Sequence, residues 1–382
     1  MKTKLVCLLD KEWPPSHSFV DGMLAGELQS IDNLSITLVV SSSQINFRKN
    51  KVKKYIGVQC IIGMYPRKNI FRFLNLFKAY FILKKLSSKY QNDRLIIFVR
   101  NEPIYLLASS IFKRNNMSLI FQNSFPHEEI SGSKIKRYIA KFLYRLSAGS
   151  IDSLLAVSPK GLERLRNIFS NVDKGECIPL LSDNNLVINE SDIKKEINII
   201  KFVYIGDHSS LRKLDVVLRS IVNACKENID AKFYFIGGKV NEIDKLRQIE
   251  GVEELIKKNK IEFIKRIPRD ELWELLKEMD IGISLIPPDD HYIEASPTKL
   301  TEYMSLGLMT IGSSGIPLQE EFILNSKGGR LVKWDEKKIT DIFLKVSNDK
   351  SKIVDMKYNS LRYAKNHLNY KNYTHIINKL LM

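Results

Sequence analysis

The feature that most constrains the fold is an alternation that runs the length of the chain. Short apolar, β-branched runs recur, each followed by a stretch with helical amphipathic period. In the second half the runs fall at 200–205, 232–236, 261–265, 281–286, 308–311 and 330–332, with helical patterns at 214–226, 242–258, 270–279, 297–306 and 318–324. The first half repeats the scheme with runs at 4–9, 35–40, 94–99, 118–122 and 153–157. Alternating strand and helix predicts parallel sheets covered by helices on both faces. A chain of 382 residues exceeds what one core organises, so the expectation is an α/β protein with two doubly wound, Rossmann-like domains facing a cleft. The polar segment 182–195 lacks periodicity and is the expected linker, between an N-terminal domain over 1–181 and a second domain over 196–358. Ligands of open parallel sheets bind outside the carboxyl ends of the strands, so the loops after each strand are the places to search.

Charge narrows the partners. The net charge is +17, and residues 1–190 carry 28 Lys+Arg against 15 Asp+Glu. Between residues 41 and 90 there are twelve basic residues and no acidic one. Such a field attracts an anionic membrane surface or a polyanion. The same block holds Phe71, Phe73, Phe77, Tyr80 and Phe81, which could stack on bases. The sequence has no zinc-finger spacing and no ribonucleoprotein-type aromatic motif, so no nucleic-acid partner is expected. Phe73, Phe77, Tyr80 and Phe81 fall near one helical face and are expected to be at least partly buried. The four cysteines are scattered and read as reduced thiols of a cytoplasmic protein. No uncharged apolar stretch approaches the roughly 18–20 residues of a membrane span, and the N-terminal apolar run is cut short by Asp10, as a first strand would be.

One string carries the chemistry: His291-Tyr-Ile-Glu294-Ala-Ser296-Pro297-Thr298-Lys299-Leu-Thr-Glu302-Tyr-Met-Ser-Leu-Gly307. Ser296 is a good N-cap, Pro297 suits the first helical position and Gly307 suits the position just past the end, which predicts a short helix over 297–306. Its N-terminus offers unpaired amides and a positive dipole end, an anion site. Lys299 falls in the first turn, where an acidic residue would be favoured, and that conflict is eased if an anion binds there. Taken alone, Lys299 and Glu302 could equally be an exposed i,i+3 pair. Arg212-Lys213, after the run at 200–205, could be a solvated pair or a diphosphate clamp.

The full string resembles the donor-site motif of the family-4 retaining glycosyltransferases (glycosyl transferases group 1, GT-B fold), of the kind that builds bacterial surface polysaccharide. Glu294 and Glu302 match that family's Glu-x7-Glu signature, and Tyr204-Ile-Gly206 through Arg212-Lys213 resembles the start of its donor domain. The resemblance implies a nucleoside-diphosphate sugar as donor. Arg212, Lys213, Ser296, Thr298 and Lys299 would hold the diphosphate. Glu302, Gly206, Arg266 and Ile267 would hold the nucleoside, and Glu294 the sugar. It implies a glycan or polyprenyl-diphosphate-linked acceptor on the N-terminal side, retention of configuration, and a C-terminal helix over 359–382 that returns to the first domain. The family's donor-contacting histidine is matched either by Asn123 or by His127, in Phe121-Gln-Asn123-Ser124-Phe-Pro126-His127. The loop after the first run, Asp10-Lys-Glu-Trp-Pro-Pro-Ser-His17, departs from the family's paired glycines. No metal spacing is present, so neither metal nor cofactor is expected. With the basic N-terminal half, these implications predict a cytoplasmic enzyme held peripherally at the inner membrane. The rival readings are a GT-B nucleotide-sugar epimerase or hydrolase, and a non-catalytic sugar-nucleotide-binding partner.

Overall fold

The structure, a computed structural model, describes residues 2–12, 17–41, 58–65, 70–124, 126–130, 133–182, 186–290 and 292–381. The chain divides into two compact units, one of Met1–Leu180 with Tyr370–Met382 and one of Leu181–Asn369.

The first unit is built on a seven-stranded parallel sheet: β1 (Thr3–Glu12), β2 (Leu34–Ser41), β3 (Val58–Met64), β4 (Arg94–Arg100), β5 (Met117–Asn123), β6 (Ser153–Ala156) and β7 (Gly175–Cys177), in the order β3-β2-β1-β4-β5-β6-β7. The second has six: β8 (Ile200–Ile205), β9 (Ala231–Ile236), β10 (Ile261–Ile264), β11 (Ile281–Ser284), β12 (Met309–Ser313) and β13 (Gly329–Val332), in the order β10-β9-β8-β11-β12-β13. The central strands are near-continuous apolar runs because both faces are covered: Leu5–Leu9 and Ile96–Val99 are buried throughout. Each sheet reverses its order once, between β1 and β4 and between β8 and β11, and those are the switch points where ligands bind. The doubly wound fold expected from the alternation is present in both halves.

In the first unit the helices are α1 (Ile70–Lys89), α2 (Pro103–Phe112), α3 (His127–Ile130), α4 (Lys134–Ser147) and α5 (Pro159–Ile168). In the second they are α6 (Leu214–Cys225), α7 (Val240–Arg247), α8 (Val252–Lys257), α9 (Arg269–Lys277), α10 (Thr298–Ser305), α11 (Pro317–Ser326), α12 (Glu336–Ser347) and α13 (Lys350–His367). The helix expected over 242–258 is two: α7 stops at Arg247, and Gly251, with φ +83°, takes the cap position of α8. The chain closes with α14 (Thr374–Leu381), which is separate from α13 and not one continuous helix with it. The turn before α14 sends Tyr370 into the first unit, edge-on to Phe19 with ring centres 6.0 Å apart.

Helix α1 corrects the sequence reading. Asn75, Ala79, Leu83 and Leu86 face the sheet, and Asn75 is fixed there by accepting from the Tyr65 amide at 2.9 Å and donating to its carbonyl at 3.1 Å. That turns Phe73, Phe77 and Phe81 outward, 58%, 62% and 63% exposed. Of the expected buried group only Tyr80 packs inward, 5.7 Å from Phe112. Helix α2 lies beside α1 and α4 lies beside α2. On α4, Ala140, Tyr144 and Ser147 are buried, while Ile135, Tyr138, Phe142 and Leu146 form an exposed stripe. The side chains of Phe71 and Arg72 lie outside the described residues.

Candidate active site

The site is assembled at the β8–β11 switch point of the second unit. Helix α10 begins at Thr298, one residue later than its sequence suggests, with Pro297 in the cap position. Ser296 is buried behind it and does not cap the helix. Lys299 is therefore the second helical residue, and the first turn holds no acidic side chain. The helix stops at Leu306, where Gly307 takes φ +66°. Leu300, Tyr303 and Met304 face the core. Tyr303 fixes the register, because its hydroxyl accepts from the Ile205 amide at the end of β8 (2.9 Å). A Cβ on Gly282 of β11 would come within 2.3 Å of the Tyr303 ring, so this strand position must be glycine for the helix to sit down.

The loop after β8 supplies the cations. Tyr204 donates from its hydroxyl to the Asp207 carbonyl at 2.9 Å, a single 3₁₀ turn follows over Ser210–Arg212, and Lys213 opens α6 with φ +46°. A left-handed lysine at a helix start is strained by about 1–2 kcal/mol, a cost characteristic of functional loops. The Arg212 guanidinium stacks over the Tyr292 ring at 4.7 Å, and the Lys213 amine lies 3.8 Å from the Asp289 carboxylate. Both contacts join this loop to the turn that follows β11, where Tyr292 and Ile293 donate backbone amides to the Asp289 carbonyl. Glu294 is in that turn, and Glu302 is in the middle of α10. Lys299 completes the group, its amine 3.8 Å from the centre of the Tyr204 ring. Arg212 and Lys213 on the loop after β8 and Lys299 in the first turn of α10 thus lie on neighbouring elements, with the Lys299 amine aimed at the Gly206 turn.

Glu302 does not stand alone. Its carboxylate accepts from Arg269 Nη2 at 3.0 Å, and Arg269 also lies over the Trp273 ring at 4.8 Å. Sequence reading missed Arg269, which reaches Glu302 from the first position of α9. Arg266 and Ile267 sit in the loop between β10 and α9; Arg266 is exposed, and Ile267 packs on a small core with Tyr303 and Leu306.

In the first unit Asn123 ends β5 and is buried. Its side-chain oxygen accepts from Arg164 at 2.7 Å and its amide donates to the Tyr144 hydroxyl at 3.3 Å, while Arg164 also pairs with Glu128. Both ends of the Asn123 amide therefore serve the packing of α4 and α5. His127 opens the short helix α3, and its side chain lies outside the described residues. A second cluster went unread. At the β1–β4 switch point the buried Arg100 donates to Asp10, Asn101 Nδ2 donates to the other Asp10 oxygen at 2.9 Å, and Arg100 Nη2 reaches Ser124 Oγ and His17 Nε2, both at 3.1 Å. The available signal was positional: the apolar run of β1 gives way at Asp10, and β4 ends at Arg100 with Asn101 next. Residues 13–16 of the first loop lie outside the described residues.

The family model for glycosyl transferases group 1 matches residues 188–363. Solved structures of similar fold include sucrose-phosphate synthase from Thermosynechococcus elongatus (TM-score 0.76, 14% identity, 99% of this chain and 98% of that one). A trehalose-6-phosphate protein from E. coli, bound with UDP-2-fluoro glucose, matches with TM-score 0.72 at 11% identity over 99% of each chain. Anabaena Alr3699/HepE in complex with UDP matches with TM-score 0.69 at 14% identity, covering 100% of this chain and 99% of that one. No curated protein is similar enough in sequence to match. These likenesses define the fold and the region: the chain has the GT-B fold of two Rossmann-like domains, and its second unit carries the glycosyl transferases group 1 domain. The span that the family model matches falls within the unit that carries Arg212, Lys213, Glu294, Lys299 and Glu302.

Proposed function

We propose that this enzyme transfers a sugar, with retention of configuration, from a nucleoside-diphosphate sugar to a glycan or polyprenyl-diphosphate-linked acceptor in bacterial surface polysaccharide synthesis. The observation that carries the donor reading is the placing of Arg212 and Lys213, on the loop after β8, and of Lys299, in the first turn of α10, at the β8–β11 switch point. Helix amides with the fixed cations Arg212 and Lys213 and the amine of Lys299 are a diphosphate site, and basic groups so placed stabilise a leaving diphosphate without a metal. The UDP and UDP-sugar complexes named for two structural neighbours support this choice of ligand. In this reading Glu302, oriented by Arg269, accepts from the ribose hydroxyls, and Glu294 accepts from those of the sugar. The acceptor hydroxyl attacks on the face the diphosphate leaves, and a leaving phosphate oxygen takes its proton, so no side-chain base is required.

The first unit is the membrane-facing one in this reading. No described helix is long and apolar enough to cross a membrane, whereas α1 and α4 present exposed rings among lysines and arginines. The deciding experiment is a thermal-shift screen across nucleotide sugars, followed by turnover with and without a membrane-extract acceptor. A ligand at about 100 times its Kd stabilises by about 2.7 kcal/mol, a readily seen shift. Stabilisation by one nucleotide sugar and acceptor-dependent release of the nucleoside diphosphate are expected. Acceptor-independent turnover would replace transfer by hydrolysis or epimerisation, and no stabilisation by any nucleotide sugar would remove the donor reading.

A further inference from the structure

Among the basic groups of the site, Lys299 is the one whose nitrogen is shielded from solvent with only a ring face, that of Tyr204, against it. Lysines ordinarily lay the stem on apolar neighbours and keep the amine in water. Here the residue is partly exposed, yet Nζ itself is shielded, and among the described residues nothing accepts a hydrogen bond from it. A methyl group on Gly206 would be 3.9 Å from Nζ, so the amine is aimed at the turn where β8 ends. The groups facing it are Tyr204 from β8, then Asp207, His208 and Arg212 from the loop, and Glu302 from its own helix. None of them neutralises it. Asp207 accepts from Ser209, Glu302 is held by Arg269, and Arg212 is a second cation. His208 is 3% exposed, and both of its ring nitrogens are shielded without a partner. Burial first, and the neighbouring Lys299 second, push the His208 imidazole down to about 4, so it stays neutral. The positive end of α10 adds to the same field.

A shielded ammonium with no acceptor costs several kcal/mol and sheds its proton. Burial holds Lys299 well below the ordinary lysine range, and Arg212 lowers it further against the weaker pull of Asp207 and Glu302. We propose that Lys299 is a neutral amine in the free chain and takes up one proton from solvent as the donor diphosphate binds. The step balances as amine plus proton giving ammonium, which then pairs with the phosphate oxygens. The cation is thereby created by the group it must stabilise, and Arg212 and Lys299 can share one turn without mutual repulsion until the anion arrives. This inference rests on the donor reading above.

Titration calorimetry tests it, with UDP, GDP and ADP in turn, in buffers of differing ionisation heat between about pH 7.5 and 9.5. The nucleotide's own phosphate, with a second pKa of about 6, is already ionised there. Uptake of up to one proton is expected, with affinity falling by up to about tenfold per pH unit as pH rises, because high pH opposes a binding step that consumes a proton. Lys299→Arg, charged throughout, should bind with no uptake and a flat profile, and Lys299→Met should bind more weakly and equally flat. Binding by the native chain without uptake overturns the inference and leaves the donor site standing. A slope that persists in Lys299→Arg assigns the proton to another group and also overturns it. Failure of all three nucleotides to bind the native chain overturns the donor reading along with it.

Discussion

Replacing the outward rings of α1 should release the enzyme from anionic membranes without unfolding it. Phe73, Phe77 and Phe81 are 58%, 62% and 63% exposed. A phenylalanine carries about 200 Å² of surface, so each ring offers roughly 120 Å² to a neighbouring apolar phase. At about 25 cal/mol per Å², full withdrawal from water would be worth roughly 3 kcal/mol per ring, and half-depth insertion at a headgroup boundary about 1.5. Three rings then supply about 4–5 kcal/mol, or roughly a thousandfold or more in partitioning. Lys84, Lys85 and Lys89 at the end of the same helix are exposed and add about 1 kcal/mol each near an anionic leaflet. The α4 stripe of Ile135, Tyr138, Phe142 and Leu146, set among Lys134, Lys136, Lys141 and Arg145, is a second contact of the same kind. The assay is sedimentation with vesicles of phosphatidylcholine alone or mixed with phosphatidylglycerol. Binding should require the anionic lipid, weaken with salt, fall steeply in the F73S/F77S/F81S variant and fall in the triple Lys→Glu variant. The serine variant should melt close to the parent, because the lost rings contribute little to the core. Undiminished sedimentation of a folded serine variant, or equal binding to both vesicle types, would refute the reasoning.

Three further outcomes are expected. Lys213→Ala and Glu302→Ala should each weaken nucleotide binding by about 1.5–3 kcal/mol, roughly 10- to 150-fold, with unchanged circular dichroism; calorimetry showing native affinity in both would remove these residues from the site. Turnover should survive EDTA if, as proposed, Arg212, Lys213, Lys299 and helix amides meet the charge on the leaving diphosphate, and activity lost in chelator and restored by Mg²⁺ or Mn²⁺ would contradict that assignment. Lys357→Met should destabilise the second unit by about 3–5 kcal/mol in a melting experiment, since it strands the buried Asp280 carboxylate that Lys357 holds at 3.0 Å, and a melt like the parent's would show that pair to be dispensable.

What could be read from the sequence, and what could not, divides by the range of the interaction. All six strands of the second sheet were legible, the central ones because a strand covered on both faces must be an apolar run. The edge strands β3 and β7 were not: β3 has a glycine in its interior, and β7 is three residues, Gly-Glu-Cys, with no pattern to detect. Periodicity found the aromatic stripe on α1 but not its direction. A second stripe of Ala79, Leu83 and Leu86 competes for the sheet, and smaller side chains let the helix approach it more closely. Helix α10 was legible because proline, an anion-seeking first turn and a terminal glycine lie within a few residues. Arg269, 33 residues from Glu302, and the Asp10–Arg100 pair, 90 residues apart, left no local trace. Lys299 lies between these cases. The one local sign was a lysine placed against the helix dipole, which indicates a conflict but not its resolution. The resolution depends on Tyr204 and His208, supplied by a distant strand and loop, which provide a ring face and a neutral imidazole where an ordinary fold would provide a carboxylate. A lysine so placed gains its acceptor only with the ligand, so this local violation of helix preference is itself a reason to expect a diphosphate there.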